Sequence, residues 1–208
     1  MRVVFPVKAL IVAVLTVLAV SNAWAKHAND PKSVIEGTVN EIIQILEARE
    51  DKTKLTEEDR ENIRKVVAGH FDYREMSKRS LGKAWKSTSE SERKNFTELF
   101  RKLLERSYGN RLASFREQRV EFDDAQFKKD KARVKTRVVD VNKEIPVEYR
   151  LHQTSTGWQV YDIRIEGVSL VSNFRKDFQE GIRKNKGFEG LVQALEKKVK
   201  KLEEKDNA

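Results

Sequence analysis

Apolar residues recur at helical spacing through most of the chain and at a spacing of two through one stretch past its middle. Asp30 can cap a helix with Pro31 in its first turn. Val34, Ile35, Val39, Ile42, Ile43 and Leu46 then form one stripe. Thr56, with Asp59 three residues on, starts a second helix as a capping-box variant, with Ile63, Val66 and Val67 on its buried side. Gly69 ends or breaks that helix, and Phe71 to Trp85 reads as further helix anchored by Phe71, Met76, Leu81 and Trp85. Ser89 and Glu92 make a capping box for the strongest helical pattern, whose stripe is Phe96, Leu99, Phe100, Leu103, Leu104 and Tyr108. Gly109 either ends this helix or marks close packing.

The period then changes to two. Val120 and Phe122 alternate with charges; Val134, Thr136 and Val138 share a face; Ile145, Val147, Tyr149 and Leu151 share the next. Trp158 to Ile165 makes a fourth strand, with Tyr161, Ile163 and Ile165 on a common face. Four strands with short connections predict one antiparallel sheet, wet on its far side, with Pro146 at an edge or a bulge. After Gly167 the helical period returns. Leu170, Phe174, Phe178 and Ile182 recur every four residues, Gly187 breaks the run, and Leu191, Leu195, Val199 and Leu202 lead into a charged tail expected to fray. The expectation is an α+β fold with helices packed on one face of a four-stranded antiparallel sheet.

The first 25 residues stand apart. Arg2 and Lys8 precede the apolar run Ala9 to Val20, and small residues at Ala23 and Ala25 make a cleavage pattern before Lys26. This predicts a secretory signal peptide over 1–25 and a single mature domain over 26–208. Without Cys, no disulfide and no lipidated N-terminus is available. Removing Arg2 and Lys8 lowers the formal net charge from +9 to +7. Outside the cytoplasm such a chain meets anionic headgroups, acidic polysaccharide or acidic protein patches, and nucleic acid is not an expected partner. Lys128, Lys129, Lys131, Arg133, Lys135 and Arg137 form a strongly basic stretch that suits headgroups, an acidic docking patch or plain solvation.

Catalytic chemistry has little support. His27, His70 and His152 are scattered, so neither a zinc ligand set nor a triad is legible, and no glycine-rich phosphate cradle occurs. Asp72 with Glu75 and Asp162 with Glu166 are possible carboxylate pairs, but capping or turn roles suit such spacings better. No cofactor, metal or catalytic residue is assigned.

Three stretches carry a family likeness. The first holds Leu81, Gly82, Trp85, Ser89, Glu92, Arg93, Phe96, Phe100, Leu104 and Tyr108. The second holds Pro146, Tyr149, Gly157, Trp158, Tyr161, Asp162, Glu166, Gly167, Val168 and Ser169. The third holds Phe178, Gly187, Gly190, Leu191 and Leu195. In this ordered set the chain resembles the MlaC, or toluene-tolerance, family of periplasmic phospholipid-binding proteins. The resemblance implies a twisted four-stranded sheet and helices enclosing an apolar lipid cavity, an NTF2-like cone with the headgroup outside. It also implies a periplasmic shuttle that maintains outer-membrane lipid asymmetry. The implied partners are phospholipid, an outer-membrane lipoprotein–porin complex and the inner-membrane MCE-domain protein of an ABC transporter.

The residues suit such a role. Val147, Tyr149, Leu151, Ile163 and Ile165 offer an apolar wall from the sheet, and Leu170 and Phe174 another from the following helix. With Leu81, Leu104, Tyr108, Val138 and Val168 they form the candidate lipid-binding set. An ordinary closed core uses the same residue types. The rival readings are a periplasmic adaptor or chaperone with a closed core and a basic binding surface, and a hydrolase with polar groups converging inside the cone.

Overall fold

The computed structural model describes residues 30–206, so the expected signal peptide lies outside the described residues. Four helices come first: α1 (Pro31–Ala48), α2 (Glu57–Ala68), α3 (Tyr73–Leu81) and α4 (Glu90–Ala113). A short 3-10 helix, Gly82–Ser87, separates the last two. The strands are β1 (Arg119–Phe122), β2 (Gln126–Lys128), β3 (Lys131–Val139), β4 (Glu144–Thr154), β5 (Gly157–Ile165) and β6 (Val168–Ser169). Helices α5 (Leu170–Lys184) and α6 (Phe188–Asp206) follow.

Side chains set the helix starts. Asp30 accepts the Ser33 amide at the head of α1, and Thr56 with Asp59 and Ser89 with Glu92 form the two capping boxes. The expected helix from Phe71 to Trp85 is split instead. Phe71 pairs with Val160 as a parallel bridge, and the chain turns at Gly82, whose φ is 60°. Gly109 does not end α4. A Cβ there would collide with Nη1 of Arg60, so the glycine marks the close approach of α2 and α4.

The sheet has six strands, not four, and is antiparallel throughout, in the order β1-β3-β4-β5-β6. The extra strand β2 lies beyond β1 along the same edge of β3, and β6 is a two-residue pairing on β5. Short pairings of this kind leave little periodic signal. Pro146 is in the interior strand β4, not at a sheet edge, and the register shift falls between Arg150 and Leu151. The Pro146 carbonyl accepts from Glu166, just past the end of β5. A residue's N and C=O point the same way in a strand, so the missing N–H faces that turn: it forfeits one bond at the end of the β4–β5 pairing and none to β3. The same shift removes Tyr161 from the face expected for it. Val160 pairs with Leu151, while the Tyr161 ring meets His152 edge-on at 5.6 Å and lies under Arg79.

Helices meet the sheet in two ways. Ile35 of α1 packs on one face with Ala132, Val134, Leu151, Trp158 and Val160. Helices α3 and α5 meet β5, and with α4 and α6 build a separate apolar cluster around Phe96, Phe100, Phe174 and Phe178. A third cluster joins Leu46, Leu55 and Ala113. The helices therefore do not all lie on one sheet face. The charged tail is not frayed among the described residues. Helix α6 runs to Asp206, whose buried carboxylate lies 3.1 Å from Arg60 and 3.3 Å from Arg106.

Candidate functional site

The pairing of β3, β4 and β5 puts one row of apolar side chains on a common face. Thr136 lies opposite Val147, Val138 opposite Ile145, and Val147 opposite Ile165. Val120 extends the row through Val138 at one side, and Val168 extends it through Ile165 at the other. The face is covered unevenly. The half nearest the β2–β3 turn is sealed by α1. On the other half Val120, Val138, Ile145, Val147 and Ile165 are only half-buried and join none of the three clusters, while Val168 is 58% exposed. Tightly packed interiors rarely leave so many aliphatic residues unfilled side by side.

The lining of this open half is almost free of polar groups. Thr136 is buried, and its hydroxyl reaches the Val147 carbonyl at 3.4 Å. Burial pushes the Tyr149 phenol up to about 12, with Thr136 opposing the shift. Among the described residues no group of three or more His, Asp and Glu is placed to hold a metal ion. No described helix is long and apolar enough to cross a membrane.

The twelve residues expected at a lipid site fall in three places. Val138, Val147, Ile165 and Val168 line the open half of the face. Tyr149, Leu151 and Ile163 belong to the sealed half under α1. Leu81, Leu104, Tyr108 and Phe174 belong to the helical cluster, and buried Leu170 sits beside its Val171. The structure does not gather the helical group and the sheet group around one space. Ile145 and Val120, absent from the expected set, belong to the open half through their pairing with Val138. Their signal is the strand alternation that they share with Val138 and Val147.

The opposite face is polar. Arg137 is bonded to Glu121 and Asp123, and Glu148 to Arg150. A depression of about 400 Å³ opens there beside Lys135, Arg137, Glu148 and Arg164. Of the two candidate carboxylate pairs, Asp72 and Asp162 serve as helix caps. Asp72 accepts the Glu75 amide, and Asp162 accepts from Ser169 and Val171. Asp72 also lies 3.0 Å from His152, and among the described residues no Ser or Thr hydroxyl is hydrogen-bonded to that imidazole to complete a nucleophilic relay.

Comparison with known proteins identifies the fold and the family. The family model described as MlaC protein matches residues 36–197. The toluene tolerance protein ttg2D of Pseudomonas putida is 25% identical over 175 residues, covering 82% of this chain and 81% of that protein. The intermembrane phospholipid transport system binding protein MlaC of Haemophilus influenzae is 22% identical over 193 residues, covering 88% of each. A phospholipid-binding protein from Ralstonia solanacearum, solved in complex with a phospholipid, superposes with a TM-score of 0.77 at 23% identity, over 83% of this chain and 98% of the other. The antiparallel sheet, its flanking helices and a family match spanning most of the sequence lead to one assignment: the chain belongs to the MlaC family.

Proposed function

We propose that the mature chain is a soluble periplasmic carrier that shuttles phospholipids between the outer and inner membranes and so maintains outer-membrane lipid asymmetry. The observation that carries the reading is the open half of the sheet face, where Val138, Ile145, Val147 and Ile165 stand half-buried outside any packed cluster. In this reading residues 26–208 form one domain, sheet and helices make an NTF2-like cone, and acyl chains fill the space over these residues. A diacyl phospholipid has roughly 30 methylene groups, each worth about 0.8 kcal/mol on burial. Unaided passage through water therefore costs on the order of 20 kcal/mol. A carrier needs an apolar lining to remove that cost and no reaction chemistry. The names of the two curated relatives and the ligand of the Ralstonia structure support the same reading. The expected partners are the outer-membrane lipoprotein–porin complex and the MCE-domain protein of the inner-membrane transporter. Transfer of labelled phospholipid between donor and acceptor vesicles tests carriage. The mature chain is expected to speed transfer in proportion to its concentration; a rate independent of the protein contradicts the proposal.

A further inference from the structure

The hairpin joining β2 to β3 carries charge that nothing nearby matches. Lys128, Lys129, Lys131, Arg133 and Lys135 are all exposed, and from Gln126 to Lys135 they face one acidic residue, Asp130, for a formal +4. None of the five has a carboxylate within ion-pair distance among the described residues. Elsewhere on the same sheet Arg119, Arg137 and Arg150 each hold one. Phe127 in this hairpin is 60% exposed, its ring meeting Trp158 edge-to-face at 5.9 Å. Lys129 has a φ of 57°, in the left-handed region that favours glycine or asparagine. A lysine thus occupies the turn at some cost to the backbone.

We propose that this hairpin is a membrane-surface contact that seats on an anionic bilayer, with the lysines among lipid phosphates and Phe127 at the headgroup boundary. An exposed aromatic set among lysines matches the two forces at such a boundary: burial of a ring and attraction to diffuse negative charge. Four of the five cations are lysines, which act as mobile point charges; a site built to read carboxylates on one protein partner favours the planar fork of arginine. The hairpin also projects from the end of β3 away from the open apolar half. Lys131 and Val138 are seven residues apart along the strand, roughly 23 Å at strand rise. The contact therefore leaves the proposed lipid site uncovered, and it is independent of whether that site is filled.

Flotation of the full mature chain, carrying whatever lipid it purifies with, on vesicles of phosphatidylcholine containing about 30 mol % phosphatidylglycerol tests this against phosphatidylcholine alone. Binding is expected only to the anionic vesicles and is expected to disappear near about 0.5 M salt. Each lysine near such a surface contributes about fivefold, so the triple change Lys128→Gln, Lys129→Gln, Lys131→Gln should weaken binding about 100-fold. The same charge change at the exposed Lys83, Lys86 and Lys94 should leave binding within about threefold of the parent, with lipid content equal in all forms by extraction. Phe127→Trp should shift its emission to the blue on anionic vesicles and be quenched by brominated lipid. Equal binding to both vesicle types, failure to bind the anionic ones, or an unaffected hairpin triple variant would overturn the proposal. Salt-sensitive capture of an acidic protein without vesicle binding would overturn it too, and would assign the strip to a protein partner.

Discussion

Asp162 on β5 accepts the backbone amide of Val171 at 3.2 Å, so a sheet carboxylate caps the helix that follows it. Its other oxygen takes the Ser169 hydroxyl at 2.7 Å, and Ser169 in turn accepts the Ser172 amide. The first turn of α5 is thereby fixed to β5 at the junction where strand spacing gives way to helix spacing. Asp162 is 5% exposed, so removing it strands buried donors. Asp162→Ala should destabilise the fold by about 2 kcal/mol. Urea unfolding measures it, and an unchanged midpoint would refute this role.

A second tie closes the far end of the chain. Asp206 pairs with Arg60 and Arg106, and both Arg60 and Asp206 are nearly inaccessible. Arg106 keeps Glu57 as a further partner, whereas Arg60 has no other carboxylate among its described ion pairs. Asp206→Ala should therefore cost about 3 kcal/mol through an uncompensated buried guanidinium. Asp206→Ala combined with Arg60→Met should recover much of the loss. A double variant no more stable than the single one contradicts the account.

Substitutions on the open face separate lining from core. Val147→Asp and Ile165→Asp should lower the lipid retained on purification at least tenfold, because an ionised carboxylate is costly against acyl chains. Both positions are half-buried and outside the packed clusters, so the fold should survive. Glu148→Gln on the polar face should retain the parent's lipid load. Folded Asp variants with full lipid would place the lining elsewhere.

Alkaline pH offers a test of burial at Tyr149. Its folded pKa is pushed up to about 12, above the ordinary value of 10. The folded state thus holds the proton more tightly than the unfolded state. Its contribution to stability is complete below pH about 10 and is lost as pH rises toward about 12. Burial raises Tyr73 and Tyr108 as well, so Tyr149→Phe should reduce the alkaline loss without abolishing it. Unfolding midpoints across this window check the slope, and equal slopes for the parent and Tyr149→Phe would contradict burial of the phenol.

Helix positions were legible because caps are local. Thr56 with Asp59 and Ser89 with Glu92 announce their helices within four residues, and the structure starts α2 and α4 there. The long strands were legible from alternation, and Val147 and Ile165 do share a face. What depended on long-range pairing was not. The register shift opposite Arg150 and Leu151 turns Tyr161 away from Ile163, and no local spacing records it. The division of the apolar residues between sheet and helical cluster was equally hidden. Phe174 and Ile165 have the same hydrophobic character, and only the chain's path past β5 decides which neighbours each one meets. The last turns of α6 read as a fraying tail because the partners of Asp206, Arg60 and Arg106, lie far back in sequence.

The carrier reading is tested most directly by native mass spectrometry of the mature chain, purified from the envelope without detergent. The account predicts a species heavier than the bare chain by the mass of a phospholipid, released on collisional activation, with the ligand identified as phospholipid by extraction. A population consisting of the bare chain alone, still folded and taking up no phospholipid from vesicles, would contradict it.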